Sequence, residues 1–277
     1  MRLHQHFHHK SRALLEVIAV LSLTLLALTL IGLSPVGAWE RTTLRRGFVE
    51  YAVMMAIPTT ILIATRRDLT AYGLSLRNPT YHLDVTTTAL APVAVASIPF
   101  AFVDYRHWTG SLILAGSYLA SLFALGWLLR RKPTRNEDGV VIGAFTPIWL
   151  QLPQPTVVGR AITTFVFFIF FLGLGEELLF RGYIQSRLND VWGRPFRFFG
   201  VPWGWGGLIT AALFGLMHAL NLGSLVNGNW QWSWWWGGWT FFSGLVFGFA
   251  REKTGSIVAP ALLHGLPQAI AYTLIGL

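Results

Sequence analysis

Apolar positions along this chain come in long unbroken blocks rather than in the two-residue alternation of strands or the one-sided stripe of a surface helix. The blocks cover 13–33, 48–65, 86–103, 110–129, 161–187, 207–222, 234–251 and 256–277. Each is close to the ~20 residues that carry a helix across a bilayer. The pattern predicts an all-α, polytopic membrane protein with about eight transmembrane helices. The longest polar connection, 130–160, contains an apolar stretch that is too short to span and is broken by Pro147. It reads as a loop touching the membrane surface. The predicted organisation is N-terminal helices over 1–135, a membrane-surface loop over 136–160 and a C-terminal helical core over 161–277.

Composition agrees with the blocks. Of 277 residues, 53% are hydrophobic and 12% charged, and the mean hydropathy is +0.52. A soluble globule is excluded by such numbers. The net charge of +9 raises nucleic acid as a partner, but Arg45-Arg46, Arg66-Arg67 and Arg130-Arg131-Lys132 abut apolar blocks, where basic residues anchor to lipid headgroups. The expected partner is the lipid bilayer, with no nucleic acid. The basic segment before 13–33 resembles a signal peptide, yet the block is longer than a signal core, so a retained first helix is expected. Lys and Arg are shared almost evenly between alternate loops, which leaves the orientation open. Six tryptophans within 230–239 read as an interfacial belt.

With no cysteine in the chain, thiolate metal sites, disulfides and cysteine nucleophiles are excluded. An ionisable side chain at membrane depth costs several kcal/mol and calls for a partner or a function. Glu16 and Glu50 are near the starts of their blocks, within reach of an interface. His4, His6, His8 and His9 belong to the N-terminal tail, and His82 and His107 flank blocks. Deep inside remain Glu176, Glu177 and Arg181 in "GEELLFR", His218 in "FGLMH" and His264 in "LLHGLPQ". Glu177 and Arg181, four apart with the acid first, have the favourable spacing for a pair on one helix face. Glu176, turned about 100° away, has no ideal partner on its own helix.

Phe214 and His218 share a face at four-residue spacing, as do His264 and Gln268, and Asn221 is near the His218 face. Pro267 leaves the Leu263 carbonyl without its helical donor, which at depth marks a polar pocket. One carboxylate and two imidazoles on three separate blocks, Glu176, His218 and His264, form a set able to hold and deprotonate a water.

At these residues the chain resembles the CAAX protease and bacteriocin-processing family of intramembrane endopeptidases, which includes the CAAX prenyl proteases. The family's EExxxR motif corresponds to Glu176, Glu177 and Arg181, and its FxxxH motif to Phe214 and His218. The third motif, a histidine followed four residues later by Asn or Asp, corresponds at His264 and departs at Gln268. Over 244–265 the chain also has the family's helix, turn and helix approach to that motif. The resemblance covers roughly 161–277.

It implies an eight-span enzyme with its active site in a cavity of the C-terminal four helices and with no cofactor. Glu176 is then the general base, His218 and His264 orient the water, and Glu177 and Arg181 brace the helix. Gln268 replaces the residue that steadies the oxyanion, and Asn221 is a candidate substitute. The implied substrate is a peptide or membrane protein, lipidated in the best-known members, and the implied location is the cell's inner membrane. Two other readings stay open. Glu176, His218 and His264 could be zinc ligands with water as the fourth, although no HExxH is present. Gln268 also leaves room for a non-catalytic scaffold or immunity-type protein that binds a peptide or lipid tail.

Overall fold

The computed structural model describes residues 2–75, 77–134 and 155–274. α1 (Arg2–Leu33) turns at Ser34 into the short α2 (Pro35–Trp39), which continues as a π-helical turn, Glu40–Leu44, ahead of α3 (Phe48–Ala64). α4 (Pro79–Ser97), prolonged by a 3-10 turn at Ile98–Ala101, and α5 (Trp108–Leu129) complete the N-terminal part. α6 (Pro155–Val166), α7 (Leu174–Glu177) and α8 (Ser186–Trp192) form one rod, joined by the π-helical stretches Phe167–Gly173 and Leu178–Gln185. A hairpin of β1 (Phe196–Phe198) and β2 (Val201–Trp203) leads to α9 (Trp205–Leu220), α10 (Leu222–Val226), α11 (Trp234–Thr254) and α12 (Val258–Leu274).

Local chemistry sets several of these boundaries. Ser34 accepts a hydrogen bond from the Gly37 backbone, and Pro35 follows at the first helical position, where its missing N–H is no loss. Asn78 caps α4 through Tyr81 N–H, with Pro79 next. Residues 155–160, expected in the surface loop, are helical and belong to α6. The remainder of that expected loop, up to residue 154, lies outside the described residues.

All eight apolar blocks are helical. Among the described residues, five helices are long and apolar enough to cross a membrane: His9–Leu33, Pro79–Ala101, Trp108–Leu129, Ala161–Trp192 and Trp205–Val226. Phe48–Ala64 is shorter. α11 carries Arg251, Glu252 and Lys253 in its last turn, and α12 carries His264, Pro267 and Gln268, which dilute the apolar character that a span of ~20 residues needs. Of the eight expected spans, five therefore have spanning length and composition among the described residues.

Large apolar side chains face outward along α1 and α5, including Leu15, Leu26, Leu30, Leu33, Leu112 and Phe123. Such a surface suits lipid. Inside, α11 is the central element: every residue from 244 to 254 is buried, and the helix packs on α9 and α5. α4 pairs with α5, α1 with α3, and α12 lies against the Phe167–Gly173 stretch of the rod. α1 is tied to the rod by Glu16, which accepts from Tyr183 at 2.6 Å and from Arg187 at 3.1 Å and pairs with Arg67 at 2.6 Å. Glu16 therefore serves an internal ion network rather than an interface.

Candidate active site

Glu176 and Glu177 end a four-residue α-helical segment held between two π-helical stretches. A π turn widens the helix and rotates the residues after it, a distortion that recurs at functional sites. Both acids are buried, at 5% and 0% exposure, and Arg181 is also at 0%. The Arg181 guanidinium donates to Glu177 Oε1 at 2.8 Å and to the Gly244 carbonyl at 3.2 Å. It also lies 4.4 Å from the Phe214 ring centre, a favourable cation–π contact in a desolvated setting. Phe214 of the FxxxH pattern thus covers the arginine of EExxxR.

Two close helix contacts assemble the rest. Gly173 on the rod lies against Ala261 of α12, and Gly265 on α12 against Phe168. An added Cβ would come within 2.6 Å of the Ala261 carbonyl oxygen and 2.2 Å of the Phe168 carbonyl oxygen, respectively. Only glycine permits such backbone approach. Beside this contact His264 meets both glutamates. Its Nδ1 is 3.0 Å from Glu177 Oε1, and its Nε2 is 3.9 Å from Glu176 Oε2. A carboxylate oxygen accepts, so Nδ1 is the donor and Nε2 is the ring nitrogen that faces Glu176. The imidazole plane is fixed by Phe247, stacked at 4.8 Å, and by the edge of Phe214 at 5.9 Å.

The second contact joins α9 to α11. Gly215 and Gly237 face each other so closely that a Cβ at either would come within 2.6 Å of the other's carbonyl oxygen. One turn along α9, His218 donates from Nδ1 to the Phe214 carbonyl at 2.9 Å, which leaves its Nε2 without a proton in the neutral ring. Its ring packs 4.5 Å from Phe214 and 5.2 Å from Trp236. Trp236 and the buried Trp239 therefore point inward, while Trp230, Trp232, Trp234 and Trp235 are exposed, so only part of the tryptophan cluster suits the expected belt.

The remaining expected residues are placed differently. Asn221, in left-handed conformation at the end of α9, donates its amide hydrogens to the Gln231 carbonyl at 3.3 Å and Ser233 Oγ at 3.2 Å. That use holds the following loop and occupies both amide hydrogens. Gln268 is half-buried one turn beyond His264, and its side chain makes no hydrogen bond among the described residues. Glu177 has more contacts than its spacing to Arg181 indicated, because it also holds His264. One neighbour of Glu176 had no sequence signal at all: Tyr51 on α3 donates its hydroxyl to Glu176 Oε1 at 3.2 Å. Glu176 Oε2 has no hydrogen-bond partner among the described residues. No group of three His, Asp or Glu side chains has metal-holding geometry among the described residues.

Residues 159–270 match the family model described as type II CAAX prenyl endopeptidase Rce1-like. No curated protein and no solved structure matches the chain. The matched segment contains EExxxR, FxxxH and the third motif's His264, with Gln268 departing, and it is a CAAX-protease-type domain. Together with five helices of spanning length and composition among the described residues, the match indicates an integral membrane protein.

Proposed function

We propose that the chain hydrolyses a peptide bond within the membrane, using a water activated by Glu176 and oriented by His264 and His218. The observation that carries this reading is the bridging position of His264, with Nδ1 on Glu177 and Nε2 turned to Glu176. A water that makes hydrogen bonds of about 2.8 Å to both Glu176 Oε2 and His264 Nε2 would see the two atoms at an angle of about 90°, a workable geometry. Glu176 Oε2 takes the water's proton while the oxygen attacks the scissile carbonyl. The tetrahedral intermediate collapses with cleavage of the C–N bond, and Glu176 returns the proton to the leaving amine. Glu177, neutralised in turn by Arg181, keeps His264 in the tautomer that presents a lone pair to the water. Gln268 is the nearest carboxamide in sequence to His264 on the same helix face and is the proposed donor to the oxyanion.

The substrate class that follows from the family's description is a prenylated CAAX peptide. The test is cleavage of an internally quenched, farnesylated CAAX peptide by the purified protein in liposomes. Wild type is expected to cleave it, Glu176→Gln to lose at least about a thousandfold in rate, and excess chelator to leave the rate unchanged. Chelator-sensitive cleavage restored by zinc would replace this mechanism with the metal-dependent one. Binding of the peptide without Glu176-dependent cleavage would replace it with the scaffold reading.

A further inference from the structure

We propose that Tyr51, outside the family-matched segment, is a positioning residue of the catalytic centre: its hydroxyl pins one oxygen of Glu176 and so aims the other at the water. This rests on the reading of Glu176 as the base.

The terminal torsion of a glutamate is broad and roughly two-fold, so a buried carboxylate with no fixed partner can turn its oxygens through the working geometry and out of it. Among the described residues the Glu176 carboxylate receives one hydrogen bond, from Tyr51 to Oε1 at 3.2 Å. Oε2 receives none and lies 3.9 Å from His264 Nε2. Pinning Oε1 therefore decides where Oε2 points, and it points to the side of the imidazole. A phenol suits the task because it donates a single hydrogen from a rigid ring and holds no formal charge that would compete with His218 or His264 for Glu176.

The ring itself is held. Phe167 meets it edge-on at 5.5 Å, and Phe48, one turn earlier on α3, meets Phe167 at 5.1 Å. Gly175, the residue just before Glu176, makes room for it: a Cβ there would lie 3.3 Å from the Tyr51 ring and 3.5 Å from the Tyr51 carbonyl oxygen. Position 175 thus seats the helix that carries the phenol against the turn that carries the base. Because α3 belongs to the N-terminal part, the catalytic centre is completed by a helix that the C-terminal motifs do not include.

The test compares wild type, Tyr51→Phe, Gly175→Ala and Glu176→Gln in the same liposome assay with the farnesylated CAAX peptide, with thermal unfolding measured in parallel. Tyr51→Phe keeps the ring and its packing and removes only the hydroxyl. It is expected to lower kcat by about tenfold to a hundredfold, the loss typical of one hydrogen bond to a charged group. KM should stay within about twofold, because the hydroxyl acts on the base and not on bound peptide, and the melting temperature should fall by no more than the loss of one hydrogen bond entails, a few degrees. Gly175→Ala, which displaces the phenol without removing it, is expected to lower kcat in the same sense by a smaller factor. If Glu176→Gln is inactive while Tyr51→Phe keeps wild-type kcat, the inference is overturned and the proposed function stands. A fall in kcat with a parallel rise in KM and a larger drop in melting temperature makes Tyr51 a packing residue and overturns it as well. Equal activity of Glu176→Gln and wild type removes the proposed function and this inference with it.

Discussion

Two buried glutamates, Glu252 and Glu176, show opposite treatment by their surroundings. Glu252, in the last turn of α11, is 2% exposed and has both oxygens engaged. Oε1 accepts from Gln185 Nε2 at 2.9 Å and Asn189 Nδ2 at 2.8 Å, and Oε2 accepts from Arg194 Nε at 2.5 Å. Asn189 in turn accepts from the Gly206 backbone at 2.9 Å, so this acid ties the end of α11 to α8 and to the start of α9. Glu176 is nearly as buried, yet it has one hydrogen bond on one oxygen, from Tyr51, and its other oxygen is without a partner among the described residues. Burial alone therefore does not distinguish the two. A buried acid whose acceptor sites are filled holds helices together, whereas Glu176, with a free oxygen beside His264 and no cation on it, is the one the proposed function uses to take a proton. Glu177 stands between them: its Oε1 receives both Arg181 and His264, and its Oε2 has no hydrogen-bond partner among the described residues.

The comparison can be broken by substituting each acid in turn and measuring kcat and unfolding together. Glu177→Gln is expected to show the largest combined effect. It leaves Arg181 buried without its counter-charge, which costs about 3–5 kcal/mol of stability, and it frees His264, for a kcat loss of about a hundredfold. Glu252→Gln should cost about 2–3 kcal/mol, since an amide cannot accept at both ends of the Arg194, Gln185 and Asn189 cluster, while kcat stays within about threefold. If Glu252→Gln lost kcat as Glu177→Gln does, the division between structural and catalytic acids would fail. The smallest effect belongs to an exposed pair: Asp190→Asn removes the 3.2 Å contact to Arg187 and should change stability by less than about 1 kcal/mol. Denaturant unfolding in a fixed detergent checks both stability values.

The fold was legible where hydropathy alone decides it. Every apolar block is a helix, because in lipid a chain segment satisfies its backbone within itself. The acid, histidine and arginine positions were legible for the complementary reason, that charge inside such blocks calls for a function or a partner. What the sequence did not disclose are contacts made by shape. The meeting of Glu177 with His264 depends on Gly173 and Gly265 letting α12 onto the rod, and two isolated glycines in apolar helices are too common to announce that. Tyr51 is 125 residues from Glu176 and lies in a block that reads as plain membrane span. The π-helical stretches on either side of the glutamates also left no periodic signature in "FFIFFLG" or "LLFRGYIQ". Asn221 shows a related limit: its spacing from His218 placed it near the right face, but the helix ends there and the side chain turns to the loop.

On the proposed function Glu176 serves chemistry while Glu252 serves the fold, and the unfolding of Glu176→Gln separates the two roles. A neutral amide at 176 removes a buried, under-bonded carboxylate, so a melting temperature equal to or above that of wild type is expected, together with loss of cleavage. A marked fall in melting temperature, comparable to that of Glu252→Gln, would contradict that separation by showing that Glu176 is a structural acid.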